Sequence, residues 1–124
     1  MRIDGVTIGF HRYPEAGCGA LAPHDRFRSR DDEWAAFQQL VGTRPTACTE
    51  FGYHTAAAHP QTLTDQNVAE SVLWDLRFYD ARQVGLACVY QLNDGPTGTW
   101  MDRYGVRAQD GTWKPVAHAI QALA

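Results

Sequence analysis

"PTACTEFGYHT", residues 45–55, runs through small and β-branched side chains and then presents a carboxylate, Glu50, with Tyr53 and His54 just beyond it. Pro45 opens the segment, and its length and apolar content are those of a short buried strand. Alternation at period two places Thr46, Cys48 and Glu50 on one face and Ala47, Thr49 and Phe51 on the other. A carboxylate at the tip of such a run is either a reactive group delivered by the strand or a structural acid paired with a neighbour such as Arg12.

Working outward, "IDGVTIGFHRY" (3–13) has the same period, with Val6, Ile8 and Phe10 opposite Thr7, Gly9, His11 and Tyr13, and Pro14 stops it. A polar loop to about Arg30 precedes "DDEWAAFQQLVG" (31–42), where Trp34, Phe37, Leu40 and Val41 form a helical stripe. Asp31 or Asp32 is the expected cap of its first turn, and Gly42 its terminator. Downstream, "TDQNVAESVLWDLRFYDARQVG" (64–85) predicts a long helix capped by Thr64, with Val68, Val72, Leu76 and Tyr79 on one stripe and Gly85 past its end. "LACVYQLNDG" (86–95) predicts a third strand. "GTWKPVAHAIQALA" (111–124) predicts a last helix with Pro115 in its first turn and Val116, Ile120 and Leu123 on its apolar side. Trp34 and Trp74 read as packing residues, and Trp100, in the loop, as a candidate to meet ligand.

Three strand–helix units in succession imply an α/β fold with a parallel sheet, whose chemistry gathers at the carboxyl ends of the strands. His11 and Tyr13, then Glu50 and Tyr53, then Asn93 and Asp94 fall at those ends. Carboxylates, amides and aromatic rings on one rim suit a polyhydroxylated ligand, the carboxylate acting as nucleophile, base or hydrogen-bond acceptor. For His11 and Tyr13 the alternative is a pair of satisfied polar groups closing the sheet.

The composition bounds partners. The 124 residues, 44% hydrophobic and 20% charged, fit one domain over 1–124, and the formal charge of −3 without a Lys/Arg block argues against a nucleic-acid surface. No apolar run reaches the roughly 20 residues that span a bilayer, and "MRIDGVTIGF" lacks a signal-peptide layout, so the chain as written is expected in the cytoplasm. Cys18, Cys48 and Cys88 form neither a disulfide framework nor a zinc pattern, and Cys48 and Cys88 read as buried free thiols. The histidines form no short metal-ligand motif, so no metal and no cofactor is expected.

"TACTEFGYHT", a long helix, "VGLACVYQLNDG" and "YGVRAQDGTWKPVAHAI", in that order and spacing, resemble the closing third of a clan A glycoside hydrolase of the cellulase-like family 5 and family 39 type. The resemblance implies strands six to eight of a (β/α)8 TIM barrel. It implies Glu50 as the catalytic nucleophile of retaining hydrolysis of O-glycosidic bonds. It further implies His11, Tyr13, Tyr53, Tyr90, Asn93, Asp94 and Trp100 as residues lining a carbohydrate site. A complete barrel needs about 250 residues, and the family's Asn-Glu pair carrying the acid/base does not occur in this sequence. Retaining hydrolysis needs two carboxylates roughly 5–5.5 Å apart, and Asp94, on the adjacent strand, is a poor substitute for the second. The chain alone is therefore expected to be inactive, with unpaired sheet edges that call for other copies of itself or the missing N-terminal half of the barrel. As the tail of a longer hydrolase it would be secreted. A non-catalytic carbohydrate-binding or assembly module, and a small α/β domain of unrelated function, are the other readings.

Overall fold

The computed structural model describes residues 7–12, 23–55, 63–97 and 99–123. In order these form β1 (Ile8–Arg12), α1 (Pro23–Val41), β2 (Thr46–Phe51), α2 (Asp65–Ala81), β3 (Ala87–Val89), a 3₁₀ turn (Trp100–Arg103) and α3 (Pro115–Gln121). The strands lie in the order β1-β2-β3 and both pairings are parallel. The expected alternation of strand and helix is therefore present, and the sheet is the one that crossover helices dictate.

One face of the sheet is covered. Phe10 from β1 packs edge-on against Trp34 of α1 and Tyr79 of α2, and Phe51 of β2 meets Tyr79 at 5.3 Å between ring centroids. Cys48, Phe51, Val72, Tyr79 and Val116 are almost wholly buried in this cluster. Full burial of a side chain such as Phe51 contributes roughly 1.5–3 kcal/mol, so the aromatic layer between sheet and helices holds the strands in place.

Element ends follow local chemistry, with corrections to the sequence reading. Thr64 caps α2 as expected, its hydroxyl oxygen accepting from the Asn67 N–H at 3.1 Å. Gly42, at φ +64°, ends α1 in the left-handed conformation that glycine adopts without a Cβ penalty. Pro115 is the first residue of α3. Helix α1, however, starts at Pro23, so Asp31 and Asp32 are mid-helix residues rather than caps. Asp31 instead pairs with Arg82, just past α2. Leu40 is 82% exposed, because the buried stripe of α1 passes through Trp34 and Val41, and Trp74 and Leu123 also face outward. Cys88 is exposed while Cys48 is in the core, since neighbouring residues of β3 point to opposite faces. Cys18 lies outside the described residues.

The third strand is shorter than its apolar run. After Tyr90, whose N–H still donates to Phe51 O, the backbone leaves β2 and pairs with the 3₁₀ turn and the segment that follows it: Arg107 N–H donates to Leu92 O, Asp94 N–H to Arg107 O and Gly95 N–H to Asp102 O. Residues 91–95 find their hydrogen-bond partners in their own downstream loop, which ends β3 at three residues.

Candidate functional site

The position of Glu50 depends on one extra residue. Phe10 pairs with Cys48, but His11, the next residue of β1, pairs with Glu50, so Thr49 is a bulge in β2. The second pairing carries the same offset, Cys48 opposite Ala87 and Phe51 opposite Val89. Thr49 Oγ1 donates to Phe10 O at 3.2 Å and secures the bulge. Simple alternation puts Glu50 in phase with Cys48, toward the helices. The inserted residue reverses that phase, sending Phe51 into the core and Glu50 to the face that none of the described helices covers, as bulges re-aim side chains elsewhere. This corrects the face assignment read from the sequence, and it explains how a carboxylate can end a buried strand without being buried by it. The signal was two consecutive polar residues, Thr49 and Glu50, inside an otherwise apolar segment.

On the open face Glu50 Oε2 stands 3.6 Å from His11 Nδ1, with side chains 30% and 59% exposed. The imidazole forms an ion pair with the carboxylate only when protonated, and otherwise offers it an N–H dipole. Gly9 and Thr49 lie on the same face beside them, and a Cβ at Gly9 would sit 3.3 Å from the Thr49 methyl group. The alternative pairing with Arg12 falls on a side chain outside the described part of the structure.

The remaining rim residues have different fates. Tyr53 is 5% exposed, and its hydroxyl donates to Asp75 of α2, which places it in the core rather than on the rim. His54 is buried too, its ring edge-on to Tyr104. Tyr90 is half-buried, its ring 5.8 Å from Tyr104, and its N–H donates to Phe51 O at 2.7 Å. A side chain at Gly52 would overlap the Tyr90 carbonyl, so the ends of β2 and β3 touch through backbone. Asn93 is exposed. Tyr13 lies outside the described residues, as does the side chain of Trp100, whose backbone opens the 3₁₀ turn.

Asp94 is the buried carboxylate of this rim among the described residues. Its side chain is 1% exposed and accepts from Lys114 Nζ at 2.7 Å and from the Gly105 N–H at 2.9 Å, with Arg103 Nη1 at 3.5 Å. It ties together the end of β3, the 3₁₀ turn and the entry to α3. Around it, Asp102 is held below the ordinary carboxylate range chiefly by the Thr97 hydroxyl, with the Thr99 N–H adding to this, and Asp110 by the Thr112 N–H. These partners of Asp94 were not foreseen from sequence spacing, because they converge from residues 9 to 20 positions downstream.

The chain was compared with known proteins. No family model and no curated protein sequence matches it. Among solved structures it is similar to the family 17 β-1,3-glucanosyltransferase of Rhizomucor miehei (TM-score 0.70, 15% identity, 89% of this chain and 41% of that one). It is also similar to the β-D-glucuronidase of Dictyoglomus thermophilum (TM-score 0.73, 16% identity, 94% and 22%) and to that of Lactobacillus rhamnosus (TM-score 0.66, 22% identity, 91% and 21%). The chain thus spans about two fifths of the first and a fifth of the others. At these identities the likeness concerns the fold: three consecutive strand–helix units, part of a (β/α)8 barrel of the kind found in glycoside hydrolases. It does not single out family 5 or family 39.

Proposed function

We propose that this chain is a nucleophile-bearing portion of a retaining glycoside hydrolase barrel, in which Glu50 attacks the anomeric carbon of an O-glycoside. The observation that carries this reading is the bulge at Thr49, which turns Glu50 out at the carboxyl end of a barrel strand, next to His11 and on the face that a closed barrel would enclose. In the first step a Glu50 carboxylate oxygen forms the bond to C1 as the glycosidic C–O bond breaks, and a second carboxyl group, in its protonated acid form, gives its proton to the departing oxygen and becomes a carboxylate. In the second step that carboxylate takes a proton from water, whose oxygen displaces Glu50. The second carboxylate would come from the rest of the barrel, since Asp94 is held by Lys114 and the Gly105 N–H. His11 would position the Glu50 carboxylate. Because one structural neighbour is described in complex with laminaritriose and others as β-glucuronidases, β-1,3-glucosides and β-glucuronides are the first substrates to try.

The test is covalent labelling. A 2-deoxy-2-fluoro glycoside with a fluoride leaving group needs no acid to depart, so the chain combined with a complementary N-terminal barrel portion should gain one glycosyl mass on the peptide containing Glu50. The Glu50→Gln variant should gain none. A label on another carboxylate, or none in a combination that hydrolyses the parent glycoside, would refute the assignment. The engagement of Asp94 favours one further reading, a carbohydrate-binding module without chemistry. It predicts saturable oligosaccharide binding that persists when the barrel is completed, with no turnover.

A further inference from the structure

Beyond β3, a cavity of about 400 Å³ is lined by Asn93, Asp94, Pro96, Arg107, Gln109 and Gly111, among others. It adjoins the end of β3 on the same rim as Glu50. Arg107 is unlike the other cations there. Arg103 and Lys114 are directed at Asp94, whereas Arg107 makes no ion pair with a carboxylate among the described residues.

Arg107 is nevertheless fixed. Its Nε donates to Gly111 O at 2.9 Å, and its guanidinium carbon lies 5.4 Å from the centroid of the half-exposed Trp113 ring. Gly111, at φ +89°, is in a conformation that side-chain-bearing residues rarely adopt, and a Cβ there would come within 3.0 Å of Arg107 Nη2. Its carbonyl anchors the guanidinium and its missing side chain leaves room for it. An arginine held by its Nε and by an aromatic face keeps its terminal N–H groups for another acceptor, in the fork geometry that suits a carboxylate. Little rotamer entropy then remains to be lost when that acceptor binds.

We infer that this cavity is a subsite for an acidic sugar, whose carboxylate is taken by Arg107 while Asn93 offers its amide, and Gln109, whose Nε2 donates to Gly95 O, its amide oxygen, to the sugar hydroxyls. The inference rests on the glycoside-hydrolase reading of the rim and gives its substrate class: a glycan containing uronic acid units, the scissile bond at Glu50 and a carboxylate-bearing unit beside β3.

The experiment is a titration of the chain, followed by NMR, with a uronic acid trisaccharide, the neutral trisaccharide of the same linkage, and inorganic phosphate. The acidic trisaccharide should bind at least about tenfold more tightly than the neutral one, about 1.4 kcal/mol, and shift the Arg107 Nε–H and Trp113 indole signals. Arg107→Gln should abolish the preference. Arg107→Lys, with charge but no fork, should keep part of it. Phosphate binding as tightly as the uronic sugar would overturn the sugar assignment. Equal binding of the two sugars, no binding of either, or a preference that survives Arg107→Gln would overturn the inference. Because this readout is binding, it can fail while the labelling of Glu50 succeeds, and the reverse.

Discussion

Glu50, near the carboxyl end of β2, and Asp94, beyond that of β3, belong to adjoining strands, yet the fold treats them oppositely. The Glu50 side chain is 30% exposed with one contact to a histidine that is itself more exposed, while the Asp94 side chain is 1% exposed and surrounded by an ammonium, a guanidinium and a backbone N–H. A carboxylate at a strand end is therefore no measure of reactivity by itself. The number of donors already aimed at it decides whether it remains available to a substrate. By that measure Asp94 is committed to structure, while Glu50 stays accessible for the role proposed for it.

The largest effect expected from this contrast lies at Asp94. Asp94→Asn leaves Lys114 Nζ, on a side chain only 10% exposed, facing a neutral amide. Breaking a buried pair from one side costs about 3–5 kcal/mol, a large share of the 5–15 kcal/mol that stabilises a typical domain. Urea denaturation should show a midpoint shift of that size, and a loss below about 1 kcal/mol would break the comparison. A smaller effect sharpens it. Lys114→Met strands Asp94, but the Gly105 N–H and Arg103 remain to solvate its charge, so the loss should be smaller than for Asp94→Asn. The double variant should fall short of the sum of the singles by about 0.5–3 kcal/mol. Strict additivity would mean that Lys114 and Asp94 do not depend on each other.

The sequence made the alternation legible because each element carried its own period and punctuation: Thr64 and Pro115 opened helices, and Gly42 closed one, where the residue chemistry said they should. Non-local geometry was not legible. The phase of Glu50 turns on which residue of β2 faces His11, and the Thr49 bulge is set by pairing with a distant strand, the separation stepping from 38 residues at Phe10↔Cys48 to 39 at His11↔Glu50; in physical terms it is inter-strand pairing, not local propensity, that fixes it. Tyr53 failed as a rim residue for a related reason. Its ring and hydroxyl are divided between the core and Asp75 of α2, a partner 22 residues on, and nothing within "EFGYHT" announces which way the tyrosine turns. The start of α1 was missed because Asp31 and Asp32 resemble a cap, whereas Pro23 supplies an earlier helical start.

The smallest stability effect should come from the residue proposed to matter most for chemistry. Glu50→Gln preserves size and hydrogen-bonding capacity and removes only a partly exposed charge whose contact with His11 spans 3.6 Å. Exposed pairs of this kind contribute about 0–1 kcal/mol, so the urea midpoint should move by less than about 0.5 kcal/mol in equivalent stability, while glycosyl labelling of the completed barrel disappears. The two readouts separate the roles that the sequence alone leaves joined. A destabilisation above about 2 kcal/mol would make Glu50 a second structural acid like Asp94, and the contrast between the strands would vanish.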